Sequence, residues 1–287
     1  LILFLILLFI ILLNRQIEGR IAQQEIVPEE NMITMYPYPL VSQLMVPELS
    51  AKAAIVTDAD SQVVLYAKNP QVRFSMASTT KIMTALTALD YFTLDTVMTV
   101  KSSGVDGSGL GLQIGEQFTF SDLLYAMMLP SANDAAVTIA DNYPGGQESF
   151  IAKMNEKAQA LHLADTHFID PTGLEDDGDY TTVTDMARLA SYAIQNKTLA
   201  GVIATKERAI SNLAGTIVYP LTNLNKLLGT SGVTGIKTGT TEGAGEVLVT
   251  SAIINGHTYI IVVMNSLNRF QDTRALFSFI EDQVQYV

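Results

Sequence analysis

The order of strand-like and helix-like segments is the feature that most restricts how this chain can fold. Two strand-like runs, residues 53–57 and 63–66, flank the turn signal Asp58-Ala59-Asp60-Ser61. Four more runs rich in Val, Ile and Tyr follow in the last third of the chain: 217–219, 233–237, 246–253 and 259–264. Asn255-Gly256 lies between the last two and is typical of a two-residue hairpin turn.

Helical patterns fill the middle of the chain and return at its end. Apolar residues at helical spacing, together with cap and breaker residues, predict helices over these ranges: 78–90, 121–129, 133–142, 147–161, 182–195 and 269–283. Strands at both ends with helices between them predict an α+β fold. We expect an antiparallel sheet with the terminal helices packed on it, an inserted, mainly helical lobe, and a cleft between the two.

The composition excludes several classes of protein. The 287 residues carry a net charge of −12, whereas a nucleic-acid-binding protein presents a basic face. The same charge disfavours attachment to anionic lipid through a polybasic surface. The chain has no cysteine, so it has neither disulfides nor a thiolate metal site. Because of the negative net charge, we expect no nucleic-acid partner.

The first residues predict a membrane segment. Residues 1–13 are uninterrupted Leu, Ile and Phe, and a membrane-spanning helix needs about twenty such residues. Because the chain does not begin with Met, we expect this run to be the end of a longer segment. No small-residue cleavage site follows it, which favours an N-terminal anchor, residues 1–20, over a cleaved signal. A proline-containing tether, 21–50, and a globular domain, 51–287, would follow outside the cytoplasm.

Three short polar clusters stand out against apolar surroundings. Ser78 and Lys81 lie three positions apart at the start of a predicted helix, where an amine can accept the proton of a hydroxyl. Ser131-Ala132-Asn133 lies between two predicted helices, and Lys237-Thr238-Gly239 ends a predicted strand. Each cluster alone is common, but all three in this order form a known catalytic combination.

The chain resembles the serine D-alanyl-D-alanine carboxypeptidases, which are low-molecular-mass penicillin-binding proteins. The resemblance runs from about Ala51 to the C-terminus. It is carried by the three clusters and by these collinear segments: Leu123-Leu124-Tyr125, Leu129-Pro130-Ser131-Ala132-Asn133-Asp134-Ala135-Ala136 and Asp170-Pro171-Thr172-Gly173-Leu174. It implies a β-lactamase/transpeptidase-like fold with the active site between the sheet and the helical lobe. The substrates it implies are peptidoglycan stem peptides, and the inhibitors are β-lactams.

The resemblance also implies catalytic roles for four residues. Ser78 would attack the carbonyl between two D-alanines, and Lys81 would accept the serine proton. Lys81 must then be neutral, and both burial and the nearby cation Lys237 favour that state. Ser131 would pass a proton to the leaving amine, and Asn133 would orient the peptide and Lys81.

The remaining expected site residues bind the substrate. Lys237 and Thr238 would hold its terminal carboxylate, and Gly239 would leave room for it along the strand edge. The backbone N–H groups of Ser78 and Thr240 would stabilise the oxyanion. The Thr240 side chain is expected to affect substrate preference. No cofactor and no metal are expected.

Two alternatives remain open at this point. A class A-like β-lactamase needs a glutamate for deacylation, and Glu175 is the only nearby candidate. A non-catalytic β-lactam sensor or wall-binding module on a membrane stalk would be acylated without turnover. Nothing in the sequence predicts the oligomeric state.

Two further segments invite a ligand interpretation that we do not adopt. Glycines at 109–115 lack the Gly-x-Gly-x-x-Gly spacing and the strand-to-helix context of a dinucleotide site. The acidic segment 168–180 lacks the ligand spacing of a calcium loop. We expect a solvated acidic loop there.

Overall fold

The predicted strands and helices occur in the predicted order, together with several that were not predicted, in a computed structural model, which describes residues 38–42, 46–175 and 177–287. In chain order the strands are β1 (Pro39–Val41), β2 (Ala53–Asp58), β3 (Val64–Lys68), β4 (Val97–Thr99), β5 (Gln117–Thr119), β6 (Glu207–Ser211), β7 (Val218–Thr222), β8 (Val233–Thr241), β9 (Gly245–Ile254), β10 (His257–Ser266) and β11 (Val284–Tyr286). The helices are α1 (Lys81–Leu89), α2 (Phe120–Met128), α3 (Asn133–Asp141), α4 (Gly146–Ala160), α5 (Val183–Gln195), α6 (Lys197–Ile203) and α7 (Arg269–Gln283).

Strands from both ends of the chain form one antiparallel sheet of five strands, in the order β3-β2-β10-β9-β8. The predicted hairpin between β9 and β10 turns at Asn255 and Gly256, whose φ angles of 53° and 84° fit a type I′ turn. Strand β8 lies at one edge of the sheet, so its outer side is available to other elements. It contacts the turn that carries Ser78.

Helices cover both faces of the sheet. Side chains alternate between the faces along a strand. Ile55 and Val262 therefore join the core shared with the helical lobe, while Val56 and Ile261 join the core under α7. Helix α5 packs on β2, β9 and β10, and α7 packs on β9 and β10. The expected C-terminal helix is thus in place against the sheet.

The inserted lobe is mainly helical, as predicted. Helices α2, α3 and α4 pack in sequence, and α1 contacts each of them and α5. Thr119 caps α2 by accepting a hydrogen bond from the Asp122 N–H. Thr182 caps α5 in the same way, through the N–H of Asp185.

Part of the expected tether forms a strand. Residues 39–41, within the range expected to be tether, form β1, which pairs with β11 in antiparallel register. The expected anchor, 1–20, and the tether up to residue 37 lie outside the described residues. Within the ranges given above, no helix is long and apolar enough to cross a membrane.

Candidate active site

Ser78 and Lys81 meet where a short 3₁₀ turn becomes helix α1. The turn spans Ala77–Thr80 and the α-helix begins at Lys81, so the predicted helix starts three residues late. Residues three apart eclipse each other in 3₁₀ geometry. The Nζ atom of Lys81 accordingly lies 2.9 Å from the Oγ atom of Ser78. Ser78 is partly exposed, whereas Lys81 is 0% exposed.

Two further oxygen atoms hold the Lys81 amine. Nζ donates to the Asn133 side-chain oxygen and to the Thr172 carbonyl, both at 2.7 Å. A neutral amine has two N–H groups and one lone pair. Because two fixed acceptors use the N–H groups, the lone pair is left directed at Ser78 Oγ. The contact is therefore suited to proton transfer from the serine.

Burial also favours the neutral amine. It lowers the pKa of Lys81 to about 7, against the opposing charges of Asp170 and Asp179. The pKa of Lys237 is also well below its ordinary value, first through burial and then through the positive charges of Lys81 and Arg269. Two buried lysines thus share one site, and burial favours the neutral form of each.

Ser131 and Asn133 come from the connection between α2 and α3. Ser131 adopts a φ of 67°, in the left-handed region, and is 4% exposed. Its Oγ atom is buried with no hydrogen-bond partner among the residues that the structure describes. An unpaired buried hydroxyl facing a cavity can bind a substrate group.

The glycine-containing segment 104–112 holds Asn133 in place. The Asn133 amide donates to the Asp106 carbonyl at 2.7 Å, and its backbone N–H donates to the Ser108 carbonyl at 2.6 Å. Asp134 in turn holds the segment, since its Oδ2 atom accepts from three successive backbone N–H groups at 2.8–3.1 Å, those of Leu110, Gly111 and Leu112. The glycine run is therefore a structural support of the site.

Strand β8 brings Lys237, Thr238, Gly239 and Thr240 beside Ser78. A Cβ atom at Gly239 would lie 3.0 Å from the Ser78 nitrogen, so a larger residue there would press on the turn that carries Ser78. Lys237 is 1% exposed, and its Nζ donates to the Thr238 carbonyl at 3.0 Å. The predicted residues from three distant parts of the chain are thus brought together.

Sequence reasoning missed Arg269, the first residue of α7. Its guanidinium donates to the Gly239 carbonyl at 2.7 Å and contacts the Thr240 hydroxyl. A cavity of about 140 Å³ joins it to the motif residues and is lined by Ser78, Ser108, Ser131, Leu224, Thr238, Gly239, Thr240 and Arg269. Nothing in the sequence near residue 269 indicates this, because the contact depends on how α7 leaves the sheet. A larger hollow beside residues 46–50 contains none of the motif residues.

The acidic segment is only in part the solvated loop that we expected, since Glu175 and Asp177 are exposed. Asp179 is 1% exposed, and Asp170 accepts from the backbone N–H groups of Thr172 and Gly173 at 2.5 and 2.8 Å. A Cβ atom at Gly173 would meet the Ala77 carbonyl, so the turn packs directly on the 3₁₀ turn. The expectation was wrong for Asp170 and Asp179 because composition reports charge but not packing. Glu175 is exposed, with its backbone N–H 3.2 Å from Asp170.

Comparison with known proteins agrees with this geometry. Residues 41–268 match the D-alanyl-D-alanine carboxypeptidase family, peptidase family S11. A D-alanyl-D-alanine endopeptidase of Pseudomonas aeruginosa is 32% identical over 83% of this chain and 78% of its own length. A D-alanyl-D-alanine carboxypeptidase of Bacillus subtilis is 36% identical over 70% of this chain. The match spans 54% of the length of that relative.

Solved structures place the fold in the same group. The crystal structure of the Streptomyces K15 DD-transpeptidase matches with a TM-score of 0.76 and 32% identity, covering 81% of this chain and 97% of that one. The predicted β-lactamase/transpeptidase-like fold is thereby confirmed, and the protein is a serine peptidase of that class. The chain belongs to the D-alanyl-D-alanine carboxypeptidase family.

Proposed function

We propose that this cleft removes the terminal D-alanine from peptidoglycan stem peptides through an acyl-serine intermediate, and that β-lactams acylate the same serine. The observation that carries the proposal is the environment of Lys81. Its amine is buried and bonded to two fixed carbonyl-type oxygens, and it lies 2.9 Å from Ser78 Oγ. That is the geometry of a nucleophile with its base.

Acylation begins with the attack of Ser78 Oγ on the carbonyl carbon between the two D-alanines. Lys81 accepts the serine proton as the new C–O bond forms. The developing oxyanion is held by the backbone N–H groups of Ser78 and Thr240. The close approach of β8 to the Ser78 nitrogen at Gly239 supports this arrangement, and both Ser78 and Thr240 line the cavity.

Departure of D-alanine needs a proton on its nitrogen. Ser131 supplies it, and the proton taken up by Lys81 replenishes Ser131. The buried Ser131 hydroxyl, which has no partner among the described residues, supports this role. Water then attacks the acyl-serine ester and gives a proton to Lys81, and Lys81 returns that proton to Ser78 Oγ as the C–O bond to Ser78 breaks. The products are a shortened peptide and free D-alanine.

The terminal carboxylate of the substrate is held at the β8 side of the cavity. Thr238 offers a hydroxyl and Lys237 a nearby buried amine. Arg269 adds a permanent positive charge on the cavity wall. Recognition of a carboxylate is thus shared with a residue outside the three motifs.

Transfer of the acyl group to an amine is a second candidate. It is favoured by the likeness to the Streptomyces K15 DD-transpeptidase, of whose chain 97% is covered. The acyl-serine is common to both reactions, which differ only in the acceptor. Endopeptidase cleavage, which the name of the Pseudomonas aeruginosa relative indicates for that enzyme, uses the same chemistry.

The location that we propose is outside the cytoplasm, at the membrane. The apolar run at residues 1–13 supports an N-terminal anchor, with a cleaved signal as the alternative. Peptidoglycan is outside the cytoplasm, so an enzyme of this family must be exported to reach its substrate. Fractionation of cells into membrane and soluble parts, followed by N-terminal sequencing, tests both forms.

The test of the activity has two parts. Incubation with a fluorescent penicillin should attach one label per chain at Ser78, and Ser78→Ala should abolish it. Incubation with purified stem pentapeptide should release D-alanine, and product analysis should reveal any cross-linked peptide. A folded wild type that takes up no label contradicts the proposal, and label without D-alanine release favours the sensor alternative. Rapid release of the label would instead favour a β-lactamase.

A further inference from the structure

Leu224 is an apolar side chain in an otherwise polar cavity. It lies between β7 and β8 and is 43% exposed. Apart from Gly239, the other described residues that line this cavity carry hydroxyl groups or, in Arg269, a guanidinium. A single exposed leucine is ordinary on a protein surface. Leu224 differs because it lines the cavity that contains Ser78 and Ser131, so a substrate bound there lies beside it.

The turn that carries Leu224 is hydrogen-bonded to two elements of the site. The Leu224 N–H donates to the Leu129 carbonyl at 3.2 Å, two residues before Ser131. The next residue, Asn225, is 4% exposed, and its side-chain amide donates to the Gly235 carbonyl of β8 at 3.2 Å. The turn therefore connects the loop that carries Ser131 with the strand at the sheet edge.

Asn223 fixes the other end of the turn. Its backbone N–H donates to the Lys206 carbonyl at 2.8 Å, and its side-chain amide donates to the Thr205 carbonyl at 3.0 Å. Its side-chain oxygen accepts from the Asn225 N–H at 2.9 Å. Both neighbours of Leu224 are thus bonded to backbone groups of other elements. The leucine has a fixed backbone position although its side chain is exposed.

The terminal residue of the substrate, which is the leaving group, is the part that lies nearest to Leu224. In the proposed reaction Ser131 protonates the nitrogen of this residue, and Thr238 and Arg269 bind its carboxylate. The terminal residue therefore lies between the Ser131 loop and β8, the same two elements to which the Leu224 turn is bonded. Because its nitrogen and its carboxylate are both bound to polar groups, its side chain is the group left to meet the leucine.

We propose that Leu224 is a specificity-determining residue that contacts the side chain of the leaving residue and favours a methyl group over hydrogen. This inference rests on the proposed carboxypeptidase function. Burial of one methyl or methylene group against an apolar surface contributes about fourfold to a rate or binding constant. The leucine takes no part in proton transfer, so its effect should depend on the terminal residue of the peptide.

The experiment measures kcat/KM for release of the terminal residue from stem pentapeptides that end in D-alanine, glycine or D-2-aminobutyrate. Leu224→Ala should lower the ratio of D-alanine to glycine about fourfold, because it removes the contact with the methyl group. It should raise the ratio of D-2-aminobutyrate to D-alanine, because the larger ethyl group can enter the space of the missing leucine. A merely structural disturbance would lower all three values together and leave both ratios unchanged.

The matched control is Leu213→Ala. Leu213 is also exposed, at 48%, and its backbone N–H donates to the Gln117 carbonyl at 2.8 Å, but it does not line the cavity that contains Ser78. Its substitution should leave both ratios unchanged. Leu224→Met keeps an apolar side chain of similar size and should retain the wild-type ratio of D-alanine to glycine.

A second measurement needs no turnover. Calorimetry gives the Kd values of the peptides ending in D-alanine and in glycine for Ser78→Ala, with and without Leu224→Ala. The Kd ratio should change about fourfold between the two proteins. This measurement reports on the leucine even where the wild type takes up no fluorescent penicillin and releases no terminal residue, a result that contradicts the proposed function itself.

Two results overturn the inference. One is a folded Leu224→Ala variant in which the kcat/KM ratios and the Kd ratio are those of its parent protein. The other is a Leu213→Ala variant that shifts the ratios as far as Leu224→Ala does.

Discussion

Substitution of Gly173 by alanine should damage the site more than any comparable change elsewhere in the chain. Gly173 has a φ of +80°, in the region that favours glycine. An added Cβ would lie 2.7 Å from Thr80 Oγ1 and even closer to the carbonyl oxygen of Ala77. Those atoms belong to the turn that carries Ser78. The clash must therefore be relieved by moving one turn away from the other.

Gly256 provides the matched control. Its φ is +84°, and a Cβ there would meet nothing within 4 Å. Gly256→Ala therefore incurs only the left-handed backbone cost, about 1–2 kcal/mol. For a domain of this size that lowers the melting temperature by about 2–8 °C. Acylation should be unaffected, because the β9–β10 turn is remote from the cavity residues.

Gly173→Ala incurs the same backbone cost and disrupts the Lys81 site as well. Displacement of the turn takes the Thr172 carbonyl away from Lys81 and leaves a buried donor unpaired. Such a donor costs about 1–3 kcal/mol, which is a loss of about 5- to 150-fold in acylation rate if it is felt in the transition state. Both variants should be compared by thermal melting and by stopped-flow acylation with a fluorescent penicillin. Equal melting temperatures and acylation rates within twofold of each other would refute the reasoning.

Three further predictions concern groups around Lys81. Because burial brings the pKa of Lys81 to about 7, wild-type acylation should rise with pH through that value; a flat rate from pH 5 to 9 would contradict a lysine base. Asp134→Asn should slow acylation about tenfold by loosening the loop that holds Asn133. Asp272→Asn, at a buried carboxylate in the first turn of α7, should lower only the melting temperature. Arg269→Gln should raise KM for peptides ending in a carboxylate about tenfold with little change in kcat, and amidated peptides, assayed in parallel, should lose the difference.

The five-stranded sheet and the helices could be predicted because their signals are local. Apolar periodicity, caps and the Asn255-Gly256 turn act within a few residues. The β1–β11 pair could not be predicted, since each strand has three residues and depends on its partner at the other end of the domain. Only β7 of the β6–β7 pair was predicted, because residues 217–219 have a strand-like composition and the residues of β6 do not.

The part of the site that consists of side chains within short motifs could be predicted from the sequence. The spacing of Ser78 and Lys81 follows directly from one turn of helix. The carbonyl of Thr172 gives no sequence signal, because every residue has one. Arg269 gives none either, because its position depends on where the last strand ends. The support by Asp134 is equally hidden, since it acts on backbone groups of a loop that is distant in sequence.

The charges of the cleft explain how an acidic chain can select an anionic substrate. The chain carries a net charge of −12, yet Lys237 and Arg269, beside the cavity, are cationic residue types. Carboxylates are concentrated by such a local field even when the whole molecule repels them, and low-dielectric walls strengthen the effect. The same field would harm the chemistry if it left Lys81 without any negative neighbour, because a lysine of very low pKa is a weak base. Asp170 and Asp179 oppose this, because both raise the pKa of Lys81. The site thus separates two tasks, with cationic side chains beside the substrate cavity and acidic side chains near the base.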